Sequence, residues 1–167
     1  SYTDGGLEQS TEYCYIVEMV ENGMVVGSSN EACATTNDAL PAQYYTNLPE
    51  TTGITSLIII EDVIGLELGD EIGLFDSNAI TNYNDCNTEY GELLVGSGVY
   101  TGSQLNIVGV GSTDNCSIGG AQFAGYVAGN DIKFKVWKAN ENMEYVATAS
   151  YSVGNGQWGD ILTVVSS

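Results

Sequence analysis

Short runs of apolar and β-branched residues, separated by glycine, asparagine and aspartate, recur along the whole sequence. Within many runs apolar and polar residues alternate, which is the period of a β-strand with one buried face. No segment of helical length carries an apolar stripe at a spacing of 3.6 residues between capping residues. The sequence therefore predicts an all-β fold, with strands at 13–20, 24–26, 31–35, 56–61, 71–75, 93–100, 105–110, 131–138, 143–152 and 161–165.

Turn-forming residues stand between the predicted strands, as at 21–23, 68–70 and 154–156. Asparagine and glycine tolerate the left-handed backbone conformations that tight turns need, so these tripeptides mark strand ends. Ten short strands at this spacing are typical of a β-sandwich. Residues 122–127 are flanked by glycines, and we expect an irregular connection there rather than a helical turn.

The stretch between residues 37 and 52 contains both prolines of the chain and little apolar periodicity. Proline and short polar residues favour extended or turn structure, so we interpret 37–52 as a linker. The alternative is one long loop inside a single domain, which is uncommon in compact folds. The predicted organisation is an N-terminal segment at 1–36, the linker at 37–52 and a β-sandwich module at 53–167.

Four cysteines stand at positions 14, 33, 86 and 116. An even number of cysteines in an acidic, glycine-rich chain is typical of two disulfides formed in an oxidising compartment. No Cys-x-x-Cys pair occurs, which removes the usual sequence support for a zinc ribbon or a thioredoxin-like site. Of the three possible connectivities we favour Cys14–Cys33 with Cys86–Cys116, because each pair then lies within one predicted module. Four buried free thiols are the alternative.

The 167 residues include 22 acidic side chains and three lysines, with no arginine and no histidine, which gives a formal net charge of −19. Nucleic-acid binding depends on lysine and arginine contacts to phosphate, so a nucleic-acid partner is excluded. The charge also opposes anionic lipid headgroups, and the longest aliphatic run, 57–60, is too short to span a bilayer. Catalytic and metal sites that need histidine are excluded. Because the chain begins at Ser1 without a signal peptide, we expect a processed product or a fragment.

The first 36 residues resemble the C-terminal half of a bacterial fibronectin type III domain. The resemblance rests on Tyr2, on a corner before a strand, on the alternating row that begins at Tyr13, and on the closing segment 34–36. The residues at the corner are Leu7, Thr11 and Tyr13. It implies an immunoglobulin-like or fibronectin-like sandwich. It also implies a role in spacing or adhesion outside the cell rather than in catalysis.

A complete fibronectin type III domain has seven strands, and the resemblance covers only the strands at its C-terminal end. One face of the predicted first strand is apolar because side chains two residues apart point the same way; its members are Tyr13, Tyr15, Val17 and Met19. Three strands alone leave this face uncovered, and an exposed apolar face marks an interface. We predict these four residues as a subunit interface. Upstream residues, the second module and a neighbouring copy remain alternative covers.

From about residue 48 the sequence resembles a module found near the C-termini of large secreted proteins of Gram-negative bacteria. The similar stretches are 56–76, 91–102, 132–140 and 144–160. The resemblance implies no activity. Within it, Phe134 and Val136 alternate with lysines, which predicts one core face and one solvent face, and Trp137 is expected to be partly exposed.

Acidic and amide side chains follow the strand predicted to end at Phe75. Asp76, Asn78 and Asp85 fall in one loop, and Asp114 and Asn115 precede Cys116. Oxygen ligands gathered by loops at strand ends suit Ca²⁺, so we predict Asp76, Asn78 and Asp85 as calcium ligands. The alternative is that these are solvated turn residues, since aspartate and asparagine favour turns without an ion. No Asp-x-Asp-x-Asp-Gly loop is present.

A second candidate site is a platform on which sugar rings stack. Its predicted members are Tyr44, Tyr45, Tyr126, Trp137 and Trp158. The alternative is that these aromatics pack in the core or at its rim. A glycosidase needs two carboxylates at a defined separation, and with 22 acidic residues some pair meets any spacing, so no enzyme is predicted.

These observations together predict a secreted, non-enzymatic structural or adhesive protein of the cell surface. We expect it to associate with copies of itself in a filament or array, in which a neighbouring copy completes the partial N-terminal module. The alternative is a carbohydrate-binding module with glycan partners.

Overall fold

The computed structural model describes residues 11–35 and 42–167. The chain divides into two compact units, Ser1–Ala39 and Leu40–Ser167. Regular structure in the described residues consists of fourteen β-strands and one 3₁₀-helix of three residues, which confirms the all-β prediction. Within the same ranges no helix is long and apolar enough to cross a membrane. Tyr2 and Leu7, and the boundary predicted between residues 36 and 37, lie outside the described residues.

The N-terminal unit contains β1 (Glu12–Tyr15), β2 (Glu18–Glu21), β3 (Met24–Ser28) and β4 (Ala32–Thr35). β1 pairs antiparallel with β4, and β2 pairs antiparallel with β3, so residues 12–35 form one long hairpin. At its tip Asn22 and Gly23 both have positive φ, 51° and 80°. Two-residue turns with this geometry follow the natural twist of paired strands, which explains why the Asn-Gly pair forms the tip. We call residues 12–35 the hairpin.

The strand predicted at 13–20 is two strands, β1 and β2. They are separated at Ile16 and Val17, and a register shift follows between Met19 and Val20. The hydroxyl of Ser29 accepts a hydrogen bond from the backbone N of Val17, which replaces a bond of the strand ladder. The regular alternation that would place Tyr13, Tyr15, Val17 and Met19 on one face is therefore broken.

The described part of the second unit, residues 42–167, contains ten strands. They are β5 (Thr55–Ile60), β6 (Glu71–Ile80), β7 (Tyr90–Val99), β8 (Leu105–Val110), β9 (Thr113–Asp114), β10 (Gln122–Phe123), β11 (Lys133–Lys138), β12 (Met143–Ala147), β13 (Tyr151–Val153) and β14 (Leu162–Val165). The 3₁₀-helix, Cys116–Ile118, lies between β9 and β10. The segment 122–127 is thus a two-residue strand with irregular neighbours, as its flanking glycines indicated.

Two four-stranded sheets form the sandwich. One has the order β12-β11-β6-β7, and the other has the order β13-β14-β5-β8; the pairing is antiparallel except between β14 and β5, which are parallel. Inward-facing aliphatic residues of both sheets meet in one core, in which Ile58, Leu74, Val95 and Ile107 are almost completely buried. Each fully buried aliphatic side chain contributes about 2 kcal/mol through the hydrophobic effect, so this core is the main source of stability.

Several predicted strands have different limits in the structure. β6 and β7 extend past the predicted ranges 71–75 and 93–100 because register shifts let their pairing continue to Ile80 and Tyr90. The predicted strand 143–152 is divided between β12 and β13, which belong to different sheets. The chain crosses from one sheet to the other at residues 148–150. The alternation of apolar and polar residues continues through this crossing, so the two-residue period could not reveal it.

The predicted linker is shorter at its C-terminal end than the sequence suggested. Residues 42–52 belong to the second unit, where Tyr45 is buried and the hydroxyl of Thr52 donates a hydrogen bond to the carbonyl of Gly111. The physical reason is that this stretch, although poor in periodicity, carries aromatic side chains that pack on the sandwich.

Candidate functional site

The hairpin presents apolar side chains to solvent. Val17 is 72% exposed and Met19 is 64% exposed. Large apolar residues around the tip are exposed as well: Ile16, Val20, Met24, Val25 and Val26. Of the four residues predicted as an interface, Tyr13 is half-buried and Tyr15 is partly exposed. The structure therefore places the exposed apolar surface around β2 and β3 rather than along one row from Tyr13.

A disulfide joins the two arms of the hairpin. Cys14 and Cys33 are directly opposed on β1 and β4, with Cα atoms 4.0 Å apart. The carboxylate of Glu31 lies close to both sulfur atoms. Sulfur atoms that are joined to each other are not thiolates, so the three residues do not form a metal site. The bond has the predicted pairing and holds the open end of the hairpin together.

The predicted calcium ligand Asp76 is completely buried at the centre of a hydrogen-bond network. Its carboxylate accepts hydrogen bonds from the backbone N of Asn78 and of Val127, both at 2.8 Å. The side-chain amide of Asn130 donates to both carboxylate oxygens, at 2.9 and 3.0 Å. These donors compensate the burial of the carboxylate. They also join β6 to the connection between β10 and β11.

Asp85 belongs to a different network beside the second disulfide, Cys86–Cys116. Its carboxylate accepts hydrogen bonds from the side-chain amides of Asn82 and Asn87. Gln122, which is buried, links Asn82 to Asp114 through its side-chain amide. No contact between Asp85 and Asp76 occurs in the described networks, and each carboxylate has its own donors. Calcium binding by Asp76, Asn78 and Asp85 therefore stays a prediction.

The platform predicted from five aromatics is not formed. Tyr45 and Tyr126 are each 3% exposed and Trp158 is 2% exposed, so these three belong to the interior. Tyr126 stacks on Trp158 at a ring-centroid distance of 4.6 Å, and its hydroxyl shares a hydrogen bond with Ser56. The prediction of a sugar platform is wrong for these residues, because aromatic rings bury large areas and are used here to fill the sandwich.

The other two aromatics form a stacked pair on the outer face of one sheet. Tyr44 lies parallel to Trp137, with ring centroids 3.8 Å apart, and Tyr44 is 44% exposed. Trp137 is half-buried, as the sequence predicted. The pair lies near the C-terminal end of β11.

The carboxylate of Glu71 holds the segment before β5 against the sheet. It accepts hydrogen bonds from three consecutive backbone N atoms, those of Gln43, Tyr44 and Tyr45, at 2.6 to 3.1 Å. Glu71 is buried, so these charge-assisted bonds replace its hydration. Burial and the hydrogen bond to Glu144 raise the pKa of the Tyr45 hydroxyl above its ordinary value. We call this arrangement the Glu71 contact.

All three lysines of the chain lie on β11, and each is close to a carboxylate. Lys138 is 2.9 Å from Asp70 and Lys135 is 2.6 Å from Glu92, whereas Lys133 has an exposed side chain 3.5 Å from Asp131. Burial raises the pKa of Asp70, but hydrogen bonds from Glu67, Lys138 and Ala139 outweigh it, so the net pKa is lowered. Lys133 is thus the lysine most available to another molecule.

Comparison of the chain with protein families, curated proteins and solved structures finds no match. The resemblances to a fibronectin type III domain and to a Gram-negative surface module therefore stay expectations.

The residues with the most connected side chains were not singled out from the sequence. Asn130 and Gln122 organise the two networks of buried or partly buried acids, and Glu71 anchors the segment before β5. Asn130 follows Gly129, and this local context favours a turn but indicates nothing about a distant carboxylate. No local pattern identifies Gln122 or Glu71, since their partners are 26 or more residues away in several of these bonds.

Proposed function

We propose that this protein is a non-enzymatic structural or adhesive subunit of the cell surface, which assembles with copies of itself through the hairpin. The observation that carries the proposal is the exposure of apolar side chains at 16–26. A contiguous apolar surface in contact with water is costly, and in soluble proteins it marks a site of association.

The pairing of the strands supports the same proposal. In the part of the chain that the structure describes, β2 and β3 pair only with each other. A two-stranded ribbon has marginal stability in water unless it packs against something else. Its unpaired backbone groups are also a template for a strand of another molecule. Docking on a neighbouring copy supplies both the packing and the missing backbone partners.

The second supporting feature is the chemistry of the cysteines. Two disulfides form in the structure, as predicted, and disulfides persist mainly in secreted and surface proteins. This fits an extracellular location. An association that joins different patches on two copies repeats without closing and gives a filament, provided that the geometry does not form a ring.

The test is the concentration dependence of mass for the whole chain. We expect light scattering to show masses above the 17.7 kDa of one chain, and negative-stain images to show filaments. The double variant Val17→Glu with Met19→Glu is expected to remain monomeric, since it puts charges into the exposed apolar surface. Both residues are well exposed, so folding is expected to survive, which circular dichroism checks.

The matched control carries the same added charge elsewhere. Leu68 and Ile118 are exposed apolar residues of the second unit, and the variant Leu68→Glu with Ile118→Glu is expected to assemble like the natural chain. A natural chain that stays monomeric at every concentration and salt condition contradicts the proposal. So does a hairpin variant that assembles as well as the control.

A further inference from the structure

The second unit has a cleft, lined by both apolar and polar side chains, at the side of the sandwich where the chain crosses between sheets. Its volume is about 390 Å³, and its walls include Val63, Ile64, Leu66, Val136, Ala147 and Thr148. A narrower inner part reaches the core residues Ile72 and Phe134. The lining is almost entirely uncharged, in a chain whose net charge is −19. We call this site the cleft.

Strand edges border the cleft. β12 and β13 are outer strands of different sheets, and among the described residues β12 pairs only with β11 and β13 only with β14. Ala147 at the end of β12 lines the cleft, together with Thr148 and Ser150 in the crossing to β13. An edge strand next to an apolar groove is the arrangement used in strand addition, where backbone hydrogen bonds give affinity and side chains fill the groove.

The hairpin has the properties that such an occupant needs. β2 and β3 have four and five residues, and β12 has five, so the lengths match. The hairpin exposes apolar side chains at positions 16–26, and part of the cleft wall is apolar as well. The tip of the hairpin also has an unpaired backbone edge within the described residues.

Charge complementarity favours the same pairing. The hairpin carries four glutamates, at positions 12, 18, 21 and 31, and no cation. All three lysines of the chain are on β11, which is the neighbour of β12. Lys133 directly precedes Phe134 of the cleft and has an exposed side chain. Each of the three lysines lies within 4 Å of a carboxylate, and Lys133, whose side chain is the most exposed, is the one that can face a glutamate of the hairpin.

We infer that the cleft is the acceptor for the hairpin of a second copy, with the ribbon β2–β3 lying along the edge of β12. The inference rests on the proposed function and adds the site at which a neighbouring copy docks. Each chain then has one donor and one acceptor on separate units, which is a heterologous contact.

The test uses whole chains with one surface blocked at a time. Ile64 and Thr148 are exposed residues of the cleft, so Ile64→Glu with Thr148→Glu places charge against the acidic hairpin without disturbing the core. We expect this variant to be monomeric. A control with the same residue types and the same added charge is Thr51→Glu with Ile161→Glu, both exposed and outside the cleft, and it is expected to assemble.

Mixing gives the decisive measurement. The cleft variant retains a hairpin, and the variant Val17→Glu with Met19→Glu retains a cleft. We expect an equimolar mixture to form a complex of twice the 17.7 kDa chain mass and to grow no further, because each complex has one donor and one acceptor engaged. Isotope labelling of one variant and native mass spectrometry identify the complex as one copy of each.

Each other outcome overturns the inference in a distinguishable way. If the cleft variant assembles like its control while the hairpin variant does not, the acceptor lies elsewhere and the proposed function stands. If both variants are monomeric and their mixture stays monomeric, the cleft is not the complementary surface. If native mass spectrometry finds a small apolar molecule filling the cleft of assembled chains, the hairpin is not its occupant. A natural chain that never assembles removes the proposed function as well.

Discussion

At the scale of single residues, the interior of the sandwich holds acidic groups whose burial is compensated in two ways. Asp70 has a lysine and two backbone donors, whereas Asp76 has only neutral donors. Burying a carboxylate without such partners would cost about 3 kcal/mol or more of hydration free energy. These residues are therefore parts of the framework, and their substitution is expected to act on stability.

The first prediction concerns Asp70 and acid. Its folded-state pKa is below the ordinary value of 3.8, so the unfolded chain binds a proton more readily. The stabilisation is complete above that value and is lost as the pH falls through 3.8 toward the lower folded-state pKa. We expect Asp70→Asn to lower the free energy of unfolding by about 2 kcal/mol at pH 7, because the buried amide cannot accept all of the hydrogen bonds that Glu67, Lys138 and Ala139 donate to the carboxylate.

Urea denaturation at pH 7 and at pH 3 measures this effect. The difference between the natural chain and Asp70→Asn is expected to shrink at pH 3. Asp62→Asn, at an exposed position, serves as control and is expected to change stability by less than about 0.5 kcal/mol. An Asp70→Asn chain as stable as this control at pH 7 would contradict the prediction.

The second prediction concerns Gly125, where two backbone segments touch. A Cβ atom at this position would lie 2.3 Å from the carbonyl carbon of Gly111 and 2.4 Å from the N of Ser112. Backbone atoms cannot move aside as a flexible side chain can, so Gly125→Ala is expected to cost about 2 to 3 kcal/mol. Gly91→Ala is the control, because its Cβ would meet only Thr81 at an ordinary 3.4 Å. Thermal unfolding of both variants decides, and equal stabilities would refute this account.

At the scale of elements, two short segments are each held by a specific contact in addition to their packing. The Glu71 contact ties residues 43–45 to the first residue of β6, and the disulfide Cys14–Cys33 ties β1 to β4. Both act at a single point on a short segment. Each therefore offers a local test, in which one segment opens while the rest of its unit stays folded.

We predict that Glu71→Gln loosens residues 43–45. A glutamine side chain keeps one acceptor oxygen but presents an NH₂ group to a backbone N–H, so about 2 kcal/mol of local stability is expected to be lost. Amide hydrogen exchange of Tyr44 and Tyr45 measures the opening. The control Glu92→Gln removes an exposed partner of Lys135, and its effect is expected to stay below about 1 kcal/mol. Unchanged protection of these two amides in Glu71→Gln would count against the contact.

We also predict that replacing both Cys14 and Cys33 by serine destabilises the hairpin. The disulfide closes a loop with a sequence separation of 19, which corresponds to about 3 kcal/mol in the chain-entropy account. Hydrogen exchange is expected to accelerate at β2 and β3 and to stay unchanged in the second unit. Replacing Cys86 and Cys116 instead is the matched comparison, with the opposite pattern expected. Faster exchange in the second unit of the first variant would show that the units are not independent.

At the scale of the whole molecule, a net charge of −19 opposes association of identical subunits. The Debye length falls from about 30 Å at 0.01 M salt to about 3 Å at 1 M. We therefore predict that added salt increases the mean assembled mass, as measured by light scattering at fixed protein concentration. The variant Val17→Glu with Met19→Glu is expected to stay monomeric over the same range. Dissociation of assemblies by added salt would mean that ion pairs, not apolar contacts, dominate the interface.

Much of the fold was predictable because strand periodicity and turn residues are local signals. The strand β8 has the predicted limits. The two disulfides have the predicted pairing, in which each joins two cysteines of the same module. The candidate sites were less predictable. The sequence around an aromatic residue does not show whether its side chain will be exposed or buried. Trp158 and Tyr45 are buried because they pack against residues far away in the sequence.

The sequence by itself determined the strand-forming segments, the hairpin tip at Asn22 and Gly23 and the net charge of −19. These depend on properties of one residue or of neighbours a few positions apart. Only the tertiary structure decided which strand joins which sheet, that residues 148–150 cross between sheets, and that a cleft opens beside β12. Those features arise from contacts between distant segments, whose free energy depends on shape and burial and is not encoded in any local pattern.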